Sequence, residues 1–295
     1  MPMDNTAAKI LVFDSGVGGL SIVSSIRERL PDCDFIFACD NAAFPYGTKD
    51  EFSLLHRVET TLQTLISEEQ PDLVVVACNT ASTLVLPRIR SHFSLPIVGV
   101  VPAIKPAAEQ SRSGVIGLLA TPGTINRPYT DELINDFAQD CEIVKVGSSQ
   151  LVLMAEAALR GSAPDAQRLK QLMAPFFEHP DLDTIVLACT HFPLLLKTLK
   201  KSAQREILWV DSGDAIARRV ESLLNTNAIA TLKADNDPIS GAFQDNSADK
   251  IKTYQSTLGA FSVVFTSDAE KHDIDALKPS LNAMACGEIR YTFIR

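Results

Sequence analysis

The sequence predicts an α/β protein of two similar, pseudo-symmetric domains, each with a mostly parallel sheet flanked by helices, and a ligand site in the cleft between them. The 295 residues are enough for about two ordinary domains. Short runs rich in Val, Ile and Leu alternate with turns and amphipathic stretches, which is the pattern of strand–helix units. One such pattern also occurs twice along the chain.

Each element is predicted from its local pattern. An apolar run that ends at polar turn residues indicates a strand, and an amphipathic stretch indicates a helix. The predicted strands are residues 10–13, 34–38, 73–77, 97–100, 115–120, 142–146, 184–188, 207–210 and 261–266. The predicted helices are residues 20–30, 52–69, 81–91, 129–139, 151–160, 166–178, 194–201 and 214–224. The polar, turn-rich residues 225–250 are predicted to form a loop or linker.

The internal repeat is clearest at the ends of strands. PDLVVVACNTASTLVLPRI and LDTIVLACTHFPLLLKTL both place Ala-Cys at the end of a strand and a helix after it. The matched pairs are Asp14 with Thr121, Pro102 with Asp211 and Cys78 with Cys189, at separations of 107, 109 and 111 residues. These nearly constant separations predict two copies of one domain, with chance similarity between short Val-rich strands as the alternative.

Composition excludes several classes of protein. The 36 acidic and 27 basic residues give a net charge of −9, which disfavours nucleic acid and anionic membranes as partners. The apolar runs are far shorter than the ~20 residues of a membrane span. Because the N-terminus lacks the apolar stretch of a secretory signal, we expect a cytoplasmic protein with no membrane partner.

Two of the six cysteines stand apart from the rest. In a chain of this size without a secretory signal, the cysteines are expected to be mostly free thiols. Because no two of them form a C-x-x-C pair, no metal site is predicted. Cys78 and Cys189 are matched in the repeat, and ligand sites of parallel sheets form at the carboxyl ends of strands. Two facing domains would therefore place these thiols on opposite walls of one cleft. A structural role is predicted for Cys33, Cys39, Cys141 and Cys286.

The surroundings of the first thiol suit a reactive cysteine. Cys78 precedes a predicted helix, whose N-terminal dipole would favour the thiolate over the thiol and lower the pKa. Asn79 and Thr80 add an amide and a hydroxyl beside it. A buried cysteine that only fills space is the alternative.

The second thiol has a base beside it. Thr190 and His191 follow Cys189 directly. A histidine with a pKa near 6.5 can take a proton from a neighbouring thiol or stabilise its thiolate. Alternatively, His191 stabilises the turn before Pro193.

The segment VFDSGVGGLSIV reads as a strand, a Gly-rich turn and a helix, whose free N–H groups suit an anion. Asp14 either caps this turn or orients or deprotonates a thiol. Gly16 and Gly18 match the start of a dinucleotide fingerprint, but Ser21 stands where the third glycine belongs. A nucleotide-dependent enzyme is therefore an alternative.

Several further loop residues could hold a carboxylate. They are Ser15, Tyr46 and Gly47, with Thr121 and Thr124, which could instead cap a helix. Glu156 follows an apolar helical stripe and is predicted to be a solvated helix residue.

Two thiols that flank one carbon atom can invert a stereocentre. One thiolate removes a proton from one face while the opposite thiol delivers a proton to the other. This chemistry needs no hydride carrier, and neither a metal site nor a pyridoxal-binding Lys is apparent, so no cofactor is predicted.

Six motifs over residues 9–220 resemble, in content and order, those of the glutamate racemases in the cofactor-independent aspartate/glutamate racemase superfamily. They are FDSGVGGL, PYG, ACNTAS, ATPGT, ACTHFPLL and VDSGDAIA. The resemblance implies that Cys78 acts on the D-enantiomer with help from Asp14, and Cys189 on the L-enantiomer with help from His191. The implied substrate contacts are Asp14, Ser15, Tyr46, Gly47, Asn79, Thr80, Thr190 and His191. A family glutamate maps loosely to Glu156.

The resemblance also implies a biological role and a domain division. The role is supply of D-glutamate for peptidoglycan precursors. The division is a discontinuous first domain of residues 1–98 plus 212–266, a second domain of residues 99–211, and a tail of residues 267–295 with no assigned role. Activation by a cell-wall precursor is linked in the family to a longer N-terminal extension, and with nine residues before the first strand no such activation is predicted.

Two other functions remain as alternatives, besides the nucleotide-dependent enzyme. The substrate could be aspartate or another small acid instead of glutamate. The chain could also be a non-catalytic metabolite-binding protein, although this leaves the two matched cysteines unexplained. A homodimer is left open, because the sequence after Leu224 departs from the family pattern.

Overall fold

The computed structural model describes residues 7–225, 258–269 and 271–294. The strands are β1 (Lys9–Asp14), β2 (Asp34–Cys39), β3 (Leu73–Val76), β4 (Ile97–Gly99), β5 (Val115–Ala120), β6 (Glu142–Gly147), β7 (Thr184–Ala188), β8 (Leu208–Val210), β9 (Phe261–Phe265) and β10 (Glu288–Tyr291). The helices are α1 (Leu20–Arg29), α2 (Glu51–Glu69), α3 (Asn79–His92), α4 (Ile104–Gln110), α5 (Pro122–Ile125), α6 (Pro128–Phe137), α7 (Gln150–Leu159), α8 (Ala166–Phe177), α9 (Leu196–Ser202), α10 (Gly213–Asn225) and α11 (Lys271–Ala283).

All nine predicted strands and all eight predicted helices are present, with ends shifted by two residues or fewer. The sequence prediction missed α4, α5, α11 and β10. The first two are short, α11 contains Pro279 and β10 carries two charged residues in four, so their patterns are weak. Of the predicted loop at residues 225–250, residue 225 ends α10 and the others lie outside the described residues.

Two parallel sheets confirm the predicted fold class. The first has the order β10-β9-β2-β1-β3-β4 and the second the order β6-β5-β7-β8. The run β2-β1-β3-β4 has the same order as β6-β5-β7-β8, so the strands repeat as the internal sequence repeat predicts. In the predicted tail, β10 pairs with β9 at the edge of the first sheet. The boundaries of the two domains remain predictions.

The central strand β1 is buried on both faces. Ile10 and Val12 point into an apolar cluster that includes α1, α10 and α11, whereas Leu11 and Phe13 point into another with α2 and α3. All four side chains have no exposed surface. Burial of such a side chain contributes about 1.5–3 kcal/mol, so this strand is anchored well enough to hold the polar residues at its end.

Among the helices of the described residues, none combines the length and the apolar composition of a membrane span.

Asp183, just before β7, ties the start of the second sheet to the preceding loop. Its Oδ1 accepts hydrogen bonds from the hydroxyls of Ser111 (2.7 Å) and Thr184 (2.8 Å), and its Oδ2 from the N–H groups of Arg112 (2.8 Å) and Ser113 (2.9 Å). Partial burial raises the pKa of Asp183, but these bonds outweigh it and lower the pKa to about 2.

Replacement Asp183→Asn is expected to lower the free energy of unfolding by about 2 kcal/mol at neutral pH. Because the folded-state pKa lies below the unfolded value of 3.8, this contribution is full above pH 3.8 and disappears as the pH falls through about 2. Urea unfolding of both proteins at pH 6 and pH 3 measures the difference. The control is Asp181→Asn in an exposed turn, and an equal difference at both pH values would contradict the prediction.

Candidate active site

One pocket collects most of the predicted site residues from both sheets. Both thiols are 6% exposed, so they are nearly enclosed. The predicted residues that line the pocket are Ser15, Tyr46, Gly47, Cys78, Asn79, Thr80, Thr121, Cys189, Thr190 and His191. Phe44, Pro45, Ser149 and Val152 complete the lining and were not among the predicted site residues. The carboxyl ends of parallel strands lie at one edge of each sheet, which is why residues so far apart in sequence meet here.

Asp14 both caps the Gly-rich turn and reaches across to the second sheet. Its Oδ1 accepts from the N–H of Ser15 (2.6 Å), and its Oδ2 accepts from the N–H of Gly19 (2.6 Å) and the hydroxyl of Thr190 (3.1 Å). The side chain has no exposed surface. Burial raises the pKa of Asp14, and the charge of His191 partly opposes this. Asp14 therefore caps the turn and also acts on the thiol of Cys78, so the two predicted roles are compatible.

Cys78 is the N-cap residue of α3, as the sequence predicts, but its pKa moves in the opposite direction from the predicted one. Burial and then the nearby carboxylate of Asp14 raise the pKa of the thiol well above 9.0. The prediction of a lowered pKa is therefore wrong for the protein without substrate. Desolvation and a like charge outweigh the helix dipole at this position. The Cys78 Sγ lies 3.9 Å from the hydroxyl of Ser15.

Cys189, His191 and Glu156 form a connected series. The Sγ of Cys189 lies 3.8 Å from Nδ1 of His191, and Nε2 of His191 lies 2.7 Å from Oε1 of Glu156. Burial lowers the pKa of His191, but the hydrogen bonds to Cys189 and Glu156 outweigh it and raise this pKa well above 6.5. These two contacts therefore favour the protonated form of the ring beside the second thiol.

The prediction that Glu156 is solvated is wrong. It is 6% exposed, and its Oε1 also accepts the N–H of Val17 at 2.8 Å. Burial raises its pKa, but the bonds from His191 and then the contacts with Val17 and Arg160 lower it to about 2. Helical periodicity places Glu156 beside the apolar face of α7, at a position that could be exposed or buried. Only the tertiary structure, in which the turn at Val17 packs against α7, shows that this position is buried.

The Gly-rich turn uses its N–H groups on carboxylates of the protein itself. Val17 donates to Glu156, and Ser15 and Gly19 donate to Asp14. The expected anion-binding character is thus present, but these donors are occupied and are not available to a nucleotide phosphate. The alternative of a nucleotide site at this turn gains no support from the geometry.

Three threonine hydroxyls meet between the two sheets. Thr80 Oγ1 lies 2.9 Å from Thr121 Oγ1 and 3.3 Å from Thr124 Oγ1, and Thr121 Oγ1 also accepts the N–H of Thr124 at 3.2 Å. Thr121 therefore caps α5 and faces the pocket at the same time, whereas Thr124 has no exposed surface. Among the described residues, Nδ2 of the buried Asn79 has no hydrogen-bond partner, which leaves a donor for a ligand.

Tyr46 is more deeply buried than a surface turn would allow. It is 1% exposed, and its hydroxyl donates to Oδ2 of Asp40 at 2.6 Å. Arg57 pairs with the same carboxylate, with Nη2 to Oδ1 at 2.5 Å, and Thr266 donates to Oδ1 at 2.6 Å. This buried cluster fixes the Pro45–Tyr46–Gly47 turn on the pocket wall, and the sequence offered no signal that would join Asp40 to Arg57 or Thr266.

The fold and the site together define an α/β protein in which residues after the strands of two parallel sheets bring acid and base side chains to one pocket. Comparison with known proteins gives the family. The family model described as Asp/Glu/Hydantoin racemase matches residues 20–220. The chain is 51% identical over 232 residues to the glutamate racemase of Pectobacterium carotovorum, covering 78% of this chain and 79% of that one. It is 49% identical over 216 residues to the glutamate racemase of Pasteurella multocida, covering 73% and 80%.

A solved structure agrees with the sequence comparisons. Glutamate racemase of Escherichia coli, in complex with L-glutamate and the activator UDP-MurNAc-Ala, superimposes with a TM-score of 0.84 at 40% identity and covers 98% of this chain and 100% of that one. The chain belongs to the Asp/Glu/hydantoin racemase family and is an amino-acid racemase, an isomerase.

Proposed function

We propose that this protein interconverts L- and D-glutamate by proton transfer at the substrate Cα, with the thiols of Cys78 and Cys189 as the two bases and without a cofactor. One observation carries the proposal: thiols at equivalent strand ends of two repeated sheets line a single pocket. Glutamate as the substrate is supported by the likeness to proteins named glutamate racemase, one of them solved with L-glutamate.

A single turnover balances with these groups, and proton exchange of the two thiols with solvent then restores the starting state. For L-glutamate, the thiolate of Cys189 takes the α-proton and leaves a carbanion delocalised into the α-carboxylate. The thiol of Cys78 then gives its proton to the opposite face, which yields D-glutamate, a Cys189 thiol and a Cys78 thiolate. The reverse direction uses the same groups in exchanged roles. The raised pKa of Cys78 suits a thiol that holds its proton until the carbanion forms.

The neighbours of each thiol support these roles. On one side, the buried Asp14, whose pKa is raised, acts on the thiol of Cys78 and favours its protonated form. On the other side, the imidazolium of His191 stabilises the thiolate of Cys189. Because the carbanion carries more charge on its carboxylate than the ground state does, donors such as Asn79 Nδ2 and the hydroxyl of Thr80 would bind it more tightly than the substrate.

The proposed biological role is supply of D-glutamate for peptidoglycan precursors in the cytoplasm. It is supported by membership of the family and by relatives named for the same reaction. The proposed partner is the small-molecule substrate, glutamate. The division into residues 1–98 plus 212–266 and residues 99–211 is part of the proposal, supported by the two sheets.

Incubation with L-glutamate, and separately with D-glutamate, in deuterated water without added cofactor tests the proposal. We expect formation of the opposite enantiomer with deuterium at Cα. Circular dichroism measures the enantiomer, and loss of the α-proton NMR signal measures the deuterium. The double variant Cys78→Ala/Cys189→Ala is the control for background exchange. Exchange of aspartate but not of glutamate would overturn the substrate, and absence of exchange with either by folded protein would overturn the function.

A further inference from the structure

Arg160 lies one helical turn beyond Glu156 and is not among the residues that line the pocket. We propose that Arg160 is a positioning residue for proton transfer at Cys189, acting through Glu156 and His191. The inference rests on the proposed function. It is carried by a series of contacts from the C-terminal helix to the second thiol.

The first part of the series fixes the Glu156 carboxylate. Nη1 of Arg160 donates to Oε2 of Glu156 at 2.6 Å and to its backbone carbonyl at 2.9 Å. The other oxygen, Oε1, contacts the N–H of Val17 and Nε2 of His191 at 2.8 and 2.7 Å. Each carboxylate oxygen therefore has its own partners, and rotation of the carboxylate would break at least two of them.

The second part of the series fixes Arg160 itself. Its Nε donates to the carbonyl of Asp273, at the start of α11, at 3.3 Å. The hydroxyl of Ser280 in the same helix donates to the carbonyl of Leu159 at 2.8 Å. Apolar side chains of α11 belong to the core of the first sheet. The end of α7, which follows a strand of the second sheet, is thus held by the C-terminal part of the first.

The ion pair between Glu156 and Arg160 is largely buried. The side chain of Arg160 is 22% exposed and that of Glu156 is 8% exposed. An ion pair that loses one partner in such a place leaves an uncompensated charge, which the protein relieves by protonation or by rotation toward solvent. Either response moves Oε1 away from His191, and the imidazolium then loses the contact that orients its Nδ1 toward Cys189.

The effect is expected at one thiol only. Cys78 has Ser15 and Asp14 among its polar neighbours, and the hydrogen bonds of Arg160 go to Glu156 and Asp273 instead. Loss of Arg160 should therefore raise the barrier for transfer at Cys189 and leave the barrier at Cys78 unchanged. Because the equilibrium constant between enantiomers is one, kcat/KM must fall equally in both directions, so rates alone cannot reveal which thiol is affected.

Deuterium isotope effects on kcat/KM separate the two thiols. Cys189 breaks the labelled bond of [2-²H]-L-glutamate, and Cys78 breaks that of [2-²H]-D-glutamate. For Arg160→Gln we expect kcat/KM to fall about tenfold, with a larger isotope effect than wild type for L-glutamate and a smaller one for D-glutamate. Arg160→Lys, which keeps the charge but not the planar fork, should recover part of the rate.

The matched control is Arg168→Gln, an exposed arginine of α8 that bonds to Gln150 and Gln171. It should keep both isotope effects of wild type. An active Arg160→Gln enzyme whose two isotope effects equal those of wild type would overturn the role of Arg160, even if its rate were lower. Absence of exchange by the wild type would instead overturn the proposed function.

A measurement without substrate tests the first contact directly. The charged groups that face Glu156 are His191 and Arg160, with the thiol of Cys39 nearby. Removal of the guanidinium should raise the pKa of Glu156 above its value of about 2, as followed by ¹³C NMR of the carboxyl group. An unchanged titration in folded Arg160→Gln would also overturn the inference.

Discussion

Replacement of either Cys78 or Cys189 by Ala is expected to abolish net interconversion of L- and D-glutamate, with kcat lowered at least about 10³-fold. Each thiol serves one face of the substrate carbon, so the remaining one can remove a proton and return it only to the same face. The thiols stand at equivalent strand ends in the two sheets, and no other cysteine lines the pocket. Circular dichroism of glutamate over time measures the loss.

The control for the cysteine variants is Cys141→Ala. Cys141 is a free thiol that packs at the edge of a separate apolar cluster, away from the pocket lining. It should keep the activity of wild type. Full activity in Cys78→Ala or Cys189→Ala would contradict the two-base mechanism, provided that thermal unfolding shows each variant to be folded.

Replacement Gly18→Ala is expected to lower kcat/KM at least about 100-fold, although Gly18 carries no side chain that could react. A Cβ at this position would overlap the His191 ring and would stand 2.7 Å from Oγ1 of Thr190. Both neighbours follow β7 of the second sheet, and both contact acid or base groups of the site. The added methyl group must displace them, because the backbone on both sides is buried.

The same replacement should lower the free energy of unfolding by about 1–3 kcal/mol, as is usual when a packed interior is overfilled. Steady-state racemisation and thermal unfolding measure the two effects. Gly147→Ala at the end of β6 is the matched control, since its nearest heavy atoms would be 3.5 Å away, an ordinary contact. Wild-type activity in Gly18→Ala would show that the Gly-rich turn does not need to lie against His191.

Much of the fold could be predicted because most of its strands and helices have a clear local sequence pattern. Strands such as β5 and β7 match their predicted bounds, since a buried parallel strand reads as a continuous apolar run between turn residues. The internal repeat predicted two copies of one domain, and four strands have the same order in both sheets. The short helix α5 and the edge strand β10 were missed, because four residues contain too little periodicity to be distinguished from a turn.

The pocket residues were predictable where they lie in motifs at strand ends, but several contacts that link separate elements were not. Cys78 with Asn79 and Cys189 with His191 were found together, and the structure places both pairs in one pocket. Asp40 and Arg57 were not joined to Tyr46, and Glu156 was predicted on the wrong side of its helix, because each of these contacts links separate elements.

The sequence by itself determined which residue types stand at the strand ends, how often the pattern repeats and that the fold is a parallel α/β one. Only the tertiary structure decided the environment of those residues. Cys78 is the N-cap residue of α3, a position that favours the thiolate, yet burial and the neighbouring Asp14 raise the pKa of this thiol. Desolvation and charge depend on what is packed within a few ångströms, and these neighbours are distant in sequence: Cys78 and Asp14 are 64 residues apart, and Asp14 and Thr190 are 176 apart.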